Sequence, residues 1–170
     1  PSVPGIVDKL YPPRERNLEK VKNQDKNILF RLLQFYLYEE SFINSNEINE
    51  EAFFEYPWFN DYFSTTEKDR IAYFIKDEEN KLLGFVMINE YLQKLNSGHS
   101  IAEFFVLPKH RKKKIGKQAA FKCFEKYKGN WEISPIDGNK GAFIFWKNVI
   151  SDYTNFNYRF EDNIFIFSNQ

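Results

Sequence analysis

Between Ser100 and Tyr127 the chain changes period once, and that change limits what it can fold into. Residues 100–107, SIAEFFVL, form a β-branched and aromatic run that Pro108 stops by removing a ladder donor. A short cationic stretch follows. Ile115, Ala119, Cys123 and Tyr127 then recur four apart with Ala120 and Phe124 beside them, and Gly129 follows as a helix end. The small residues on one face of this helix predict close packing on a sheet.

The flanking text supplies the other elements. Leu18–Val21 reads as a short strand, and Asp25 can cap a helix carrying Ile28, Leu29, Leu32, Leu33, Phe35 and Tyr36, which ends near Glu40. A polar and aromatic segment from Ser41 to Thr66 is expected to hold a short helix around Asn49–Tyr56 and to wall a substrate site. RIAYFIK (70–76) and KLLGFVMINEYL (81–92) form a hairpin across DEEN. Asn130–Ile136 is strand-like and Asp137-Gly138 a turn. Asn139–Ile150 is helical, and Tyr153–Phe167 is a hairpin about Asp162-Asn163. Residues 1–16, with four of the seven prolines, read as an irregular arm. The expectation is a single domain over 1–170 of mixed α/β (α+β) class: a mostly antiparallel central sheet of six to seven strands flanked by helices.

Composition narrows the partners. Lys plus Arg and Asp plus Glu both total 24, so no global charge excess recommends nucleic acid or a membrane surface. The 19 Phe and 10 Tyr exclude disorder over most of the length. A lone cysteine, Cys123, suits a reducing, cytoplasmic setting and a buried role, while two histidines leave no Cys/His set for zinc. The apolar runs are too short to span a membrane.

The chemistry concentrates in VLPKHRKKKIGK, residues 106–117. Free N–H groups and the macrodipole at a helix start favour phosphate, and Arg111 with Lys112, Lys113, Lys114 and Lys117 add local positive charge to a neutral protein. A phosphate-bearing ligand is the physical expectation. The competing reading is a solvated basic run or a nucleic-acid patch over 109–117.

Strand, Pro, Arg111-Lys112-Lys113-Lys114-Ile115-Gly116 and a long helix resemble the acetyl-coenzyme A loop of the GNAT superfamily of N-acyltransferases, with its Gln/Arg-x-x-Gly-x-Gly/Ala pattern. Asn139-x-x-Ala142-x-x-Phe145-Trp146 is similar to the family's Asn-x-x-Ala-x-x-Leu-Tyr helix, and Leu83-Gly84-Phe85-Val86 to its Leu-x-Gly-Phe strand. The resemblance covers about Leu18 to Phe167. Two departures stand out: Lys114 occupies the first glycine of the loop, and Trp146 the place of a tyrosine that protonates the leaving thiolate.

The resemblance implies acetyl-CoA as cosubstrate and no metal. Phe105, Val106 and Leu107 would border the pantetheine arm at a splayed strand end, and residues Arg111 to Lys117, Ile115 and Gly116 included, would cradle the pyrophosphate. Asn139, Phe145 and Trp146 would meet the cofactor from the next helix, although Asn139 reads equally as a cap. Glu103, a carboxylate inside an apolar strand, is the candidate base for a protonated amine, and an outward-facing glutamate is its bland alternative. Tyr153 is a substitute acid. Tyr38, Glu39 and Trp58, in an acidic and aromatic stretch, are candidate acceptor contacts suited to a cation.

The leading expectation is a cytoplasmic N-acetyltransferase acting on a primary amine of a small molecule or peptide by direct attack in a ternary complex, without nucleic-acid or membrane partners, as monomer or homodimer. A non-catalytic acyl-CoA-binding or sensing module of the same fold is the runner-up, with nucleic-acid binding through 109–117 behind it.

Overall fold

The computed structural model describes residues 17–170, and the irregular arm expected over 1–16 lies outside them. Seven strands form one sheet: β1 (Asn17–Lys20), β2 (Arg70–Lys76), β3 (Leu82–Asn89), β4 (His99–Val106), β5 (Asn130–Ile133), β6 (Arg159–Glu161) and β7 (Ile164–Ser168). Their order is β1-β2-β3-β4-β5-β7-β6, and only β4 and β5 run parallel. Three helices cover it: α1 (Lys26–Glu40), α2 (Ile115–Lys126) and α3 (Lys140–Thr154). This is the mixed, mostly antiparallel sheet expected from the sequence.

Period-two alternation in the central strands divides the apolar residues between two cores. Ala72, Phe74, Phe85, Met87 and Phe105 meet Leu29, Leu33 and Leu37 of α1. Tyr73, Ile75, Val86, Ile88 and Val106 meet Ala119, Cys123 and Phe124 of α2 and Val149 and Ile150 of α3. With both faces covered, β3 is buried without interruption from Leu83 to Ile88. Gly84 is required where β3 crosses β4, because a Cβ there would stand 1.9 Å from the Phe105 carbonyl oxygen.

Two irregularities shape β4. Met87 pairs with Glu103 but Ile88 pairs with Ile101, so Ala102 is an extra residue, a β-bulge. The bulge lets Ile101 join the α2/α3 core while Glu103, two residues on, faces α1. The second irregularity is on the other edge: β4 pairs with β5 only at His99–Trp131 and Ser100–Glu132, and then the strands part. The apex of this opening is braced by Glu132, 3% exposed, whose carboxylate accepts from the backbone N–H groups of Gln93, Lys94 and Leu95 at 2.7–3.1 Å.

Two local expectations change. Residues 49–56 form turns rather than a helix: the Asn49 side-chain carbonyl oxygen accepts from Glu51 and Phe53 N–H at 2.9 and 3.2 Å, and Ala52 is left-handed at φ 65°. The asparagine side chain thus gives the backbone a turn in place of a helical ladder. Helix α3 also runs a turn further than expected, so Tyr153 is helical. The terminal hairpin starts at Arg159 and turns at Asp162 and Asn163, both with positive φ as a type I′ turn requires.

Candidate active site

Where β4 and β5 part, a cavity of about 700 Å³ opens between β4, the start of α2, the segment after β5 and α3. Its walls include Ala102 to Val106 of β4, Arg111, Lys112, Lys114, Gly116 and Lys117 of the loop and helix, and Asn139, Phe145 and Trp146. Along this edge β4 has no strand partner beyond Ser100, so its peptide groups are offered to whatever occupies the cavity.

The helix start is built to receive an anion. Lys114 is the N-cap of α2 in the left-handed conformation, φ 61° and ψ 11°, and gives no side-chain cap hydrogen bond. Lys112 is left-handed too, at φ 64°. Such residues turn successive N–H groups to one side, at about 1 kcal/mol or more each for a residue with a Cβ. The first-turn donors of α2 and four nearby cations therefore face one cavity. Lys114 thus takes the backbone shape that the family's glycine would supply, with its ammonium added.

Gly116, in the cavity wall, also leaves room for a neighbouring ring. A Cβ there would lie 2.9 and 3.0 Å from the Phe145 ring, so the missing side chain makes room for that ring against the helix. Phe145 and Trp146 stack with Phe104 at 5.5 and 5.0 Å and line the far wall. Asn139 caps α3, its side-chain carbonyl oxygen accepting from Ala142 N–H at 2.9 Å, and it also lines the cavity. Arg111 spans the mouth: Nε donates to the Val106 carbonyl at 2.8 Å, and the guanidinium pairs with Glu39 at 2.7 Å.

A second cavity, of about 500 Å³, adjoins the first and shares Tyr36, Glu40, Glu103 and Ile136 with it. Its other walls come from residues 44–58, including Glu47, Glu55, Tyr56 and Trp58. Burial pushes the Glu103 carboxyl up to about 7; the Glu40 charge adds to the rise, and hydrogen bonding from Tyr36 and Tyr56 opposes it. The Tyr56 hydroxyl donates to Glu103 Oε1 at 3.5 Å. Glu40 is 7% exposed; among the described residues its Oε2 has no hydrogen-bond partner, and burial likewise raises its carboxyl against a hydrogen bond with Tyr36.

The sequence-derived residues divide accordingly. Glu103, Phe105, Val106, Arg111, Lys112, Lys114, Gly116, Lys117, Asn139, Phe145 and Trp146 share the first cavity. Leu107, Lys113 and Ile115 are not among its walls: Leu107 N–H bonds to Leu83, Lys113 is exposed, and Ile115 is in the core. Tyr153 is elsewhere, packed on Phe121 and Phe124 with its hydroxyl accepting from Asn169 at 2.8 Å, so a role as acid has no geometry behind it. Trp58 walls the second cavity. Glu39 faces Arg111 across the first, and Tyr38 is exposed against Phe42, outside both.

Tyr36, Glu40 and Tyr56 belong to the acidic and aromatic stretch read as suited to a cation, though not to the individual contacts drawn from it. Tyr36 and Glu40 continue the stripe Leu29, Leu33, Leu37 at helical spacing, so a carboxylate on an otherwise apolar stripe was a readable sign of burial. Cys123 is fully buried and its thiol is pushed up to about 12, which removes it as a nucleophile. Among the described residues no group of His, Cys, Asp and Glu is arranged to hold a metal ion, and no helix is long and apolar enough to cross a membrane.

The acetyltransferase (GNAT) family model matches residues 32–147. No curated protein matches the chain by sequence. Among solved structures, the fold is similar to that of an acetyltransferase from Thermus thermophilus, at TM-score 0.64 and 13% identity over 90% of this chain and 96% of that one. A GNAT-family acetyltransferase from Staphylococcus aureus aligns at TM-score 0.62 and 15% identity, covering 91% and 99%. A single-substitution mutant of a spermidine N-acetyltransferase from Vibrio cholerae aligns at TM-score 0.61 and 10% identity, covering 92% and 95%.

Proposed function

Because the chain belongs to the GNAT acetyltransferase family, we propose that it is an acetyl-CoA-dependent N-acetyltransferase that modifies a primary amine of a small molecule or peptide. The observation that carries this reading is the parting of β4 from β5. It joins an anion-binding helix start to a buried carboxylate, Glu103, within one cavity. The residues fit the cosubstrate: first-turn donors of α2 with Arg111, Lys112, Lys114 and Lys117 would hold the phosphates, and the open β4 edge would meet the amides of the pantetheine arm. Bound there, acetyl-CoA supplies a thioester carbonyl as electrophile and a thiolate as leaving group.

The chain's own part is to bring the amine and the thioester together and to manage a proton. An alkylamine arrives as an ammonium, which has no lone pair to attack with. Glu103, poised near neutrality by burial, takes that proton directly or through water. The nitrogen–carbonyl bond then forms as the carbon–sulfur bond breaks, and the nitrogen gives up its second proton to solvent to leave a neutral amide. With Trp146 in place of an acidic tyrosine and Tyr153 remote, the sulfur leaves as thiolate, which a thiol with pKa near 8.5 does readily, and takes its proton from solvent. Aromatic walls exclude water from the thioester. One structural neighbour is by name a spermidine acetyltransferase, which agrees with an amine acceptor.

Calorimetric titration with acetyl-CoA, followed by thiol release across a panel of amines, tests the reading. Saturable binding with amine-dependent thiol release is the expected result. Binding without turnover would instead favour the non-catalytic acyl-CoA module.

A further inference from the structure

The second cavity carries charge of one sign. Among the described residues Glu40, Glu47, Glu55 and Glu103 wall it, with no lysine, arginine or histidine. Acidic loops are ordinary, and Glu47 and Glu55 are exposed. Glu40 is not ordinary. It occupies the last turn of α1 on the stripe that otherwise buries leucine, it is 7% exposed, and its Oε2 has no partner among the described residues. A hydrogen bond with Tyr36 is the compensation an ionised carboxylate so placed has, and it forms no ion pair among the described residues.

Building on the acetyltransferase reading, we propose that the acceptor is a small aliphatic diamine or polyamine, with one ammonium presented to Glu103 and a second received by Glu40. Glu40 is then the residue that selects a doubly charged acceptor. A monoamine would neutralise one of two neighbouring carboxylates and leave the other buried and charged; a diamine compensates both. The rings of Tyr56 and Trp58, set edge to face at 5.9 Å, offer surface to an alkyl chain or an ammonium beside this pair. A volume of about 500 Å³ suits a small molecule. Only the ammonium at Glu103 is converted, losing one proton to Glu103 before attack and a second to solvent as the acetyl group is gained; the one at Glu40 stays protonated.

The test compares 1,4-diaminobutane with 1-aminobutane, of equal chain length, in acetylation at saturating acetyl-CoA and in calorimetric binding to the CoA-loaded protein. The expected result is a kcat/KM for the diamine about tenfold to a hundredfold above the monoamine, as a charged hydrogen-bonded pair provides. Glu40→Gln should bring that ratio toward one, chiefly by raising the diamine KM, and Glu40→Asp should restore part of it. Thermal melting checks that the variants fold, and the wild-type ratio stands without them. Equal use of both amines, or preference for a lysine peptide over the diamine, overturns the inference while leaving the acetyltransferase reading intact. Diamine binding that depends on Glu40, without acetylation of any amine, supports the cation site and overturns the acetyltransferase reading. A diamine that is neither bound nor turned over overturns the inference.

Discussion

The two cavities meet at Tyr36, Glu40, Glu103 and Ile136, yet they are made in opposite ways. The first takes its cations from a single run, Arg111 to Lys117, at the start of one helix, with Glu39 on Arg111 and Asp152 on Lys117 offsetting part of that charge and peptide groups as its other resource. The acidic one collects side chains from the end of α1, from turns over residues 44–58 and from mid-β4, and the acidic, aromatic stretch after α1 announces only part of it. A ligand common to many relatives can be held by backbone and helix geometry. An acceptor peculiar to one must be read by side chains that loops bring together.

That division is open to attack by mutation, and the largest effect belongs to the junction. Glu103→Gln is expected to lower kcat by about 10²-fold or more while leaving the acetyl-CoA Kd within about twofold. A parallel loss of cofactor affinity, read by calorimetry, would break the separation of roles. Wild-type kcat should also rise as pH passes through about 7, where Glu103 loses its proton, and the variant should lack that step.

Next comes the basic cavity. Replacing Lys112 and Lys114 together by Ala should raise the acetyl-CoA Kd about tenfold and flatten its salt dependence, with the acceptor KM little changed. Movement of the acceptor KM instead would blur the boundary. Gly116→Ala should act on the same cavity more weakly, about threefold on Kd, because the new Cβ forces the Phe145 ring aside.

Stability gives the smaller effects. The raised carboxyl of Glu103 means that between about 4.5 and 7 the folded protein binds more protons than the unfolded chain, so this group's stabilising contribution is lost as pH rises through that window. Glu40 acts in the same direction. Tm profiles from pH 4.5 to 8 should therefore be flatter for Glu103→Gln than for wild type. Lys114→Gly, by relieving a left-handed residue, should raise Tm by no more than about 3 °C.

Most of the fold was legible because its elements announce themselves locally: the β-branched and aromatic runs of β2 and β3, the stripe of α1, the four-residue recurrence of α2, and Asp162-Asn163 at a hairpin turn. The helix start at Ile115 was legible for the same reason, since a strand, a proline and a basic loop are contiguous. What failed was non-local or a competition. Asn49 diverted residues 49–56 into turns by bonding its own neighbours' N–H groups. Glu39 and Glu40 are adjacent in sequence, yet helical geometry sends one to Arg111 and the other beside Glu103. The side of the sheet on which Glu103 lies depends on the register around Ala102, which pairing with β3 decides. Alternation within β4 says only that Glu103 and Phe105 share a face.

The parting of β4 from β5 also bears on edge-to-edge pairing between sheets. An unpaired strand edge on the outside of a sheet is a template for aggregation, and proteins blunt such edges with charge, bulges or covers. Here six residues of β4, Ile101 to Val106, lack a strand on one side, but that edge lies inside a cleft walled by α2 and α3. A slender ligand can enter and pair with it; another strand, with a sheet behind it, cannot. The seam that admits a ligand is therefore closed to a second copy of the chain.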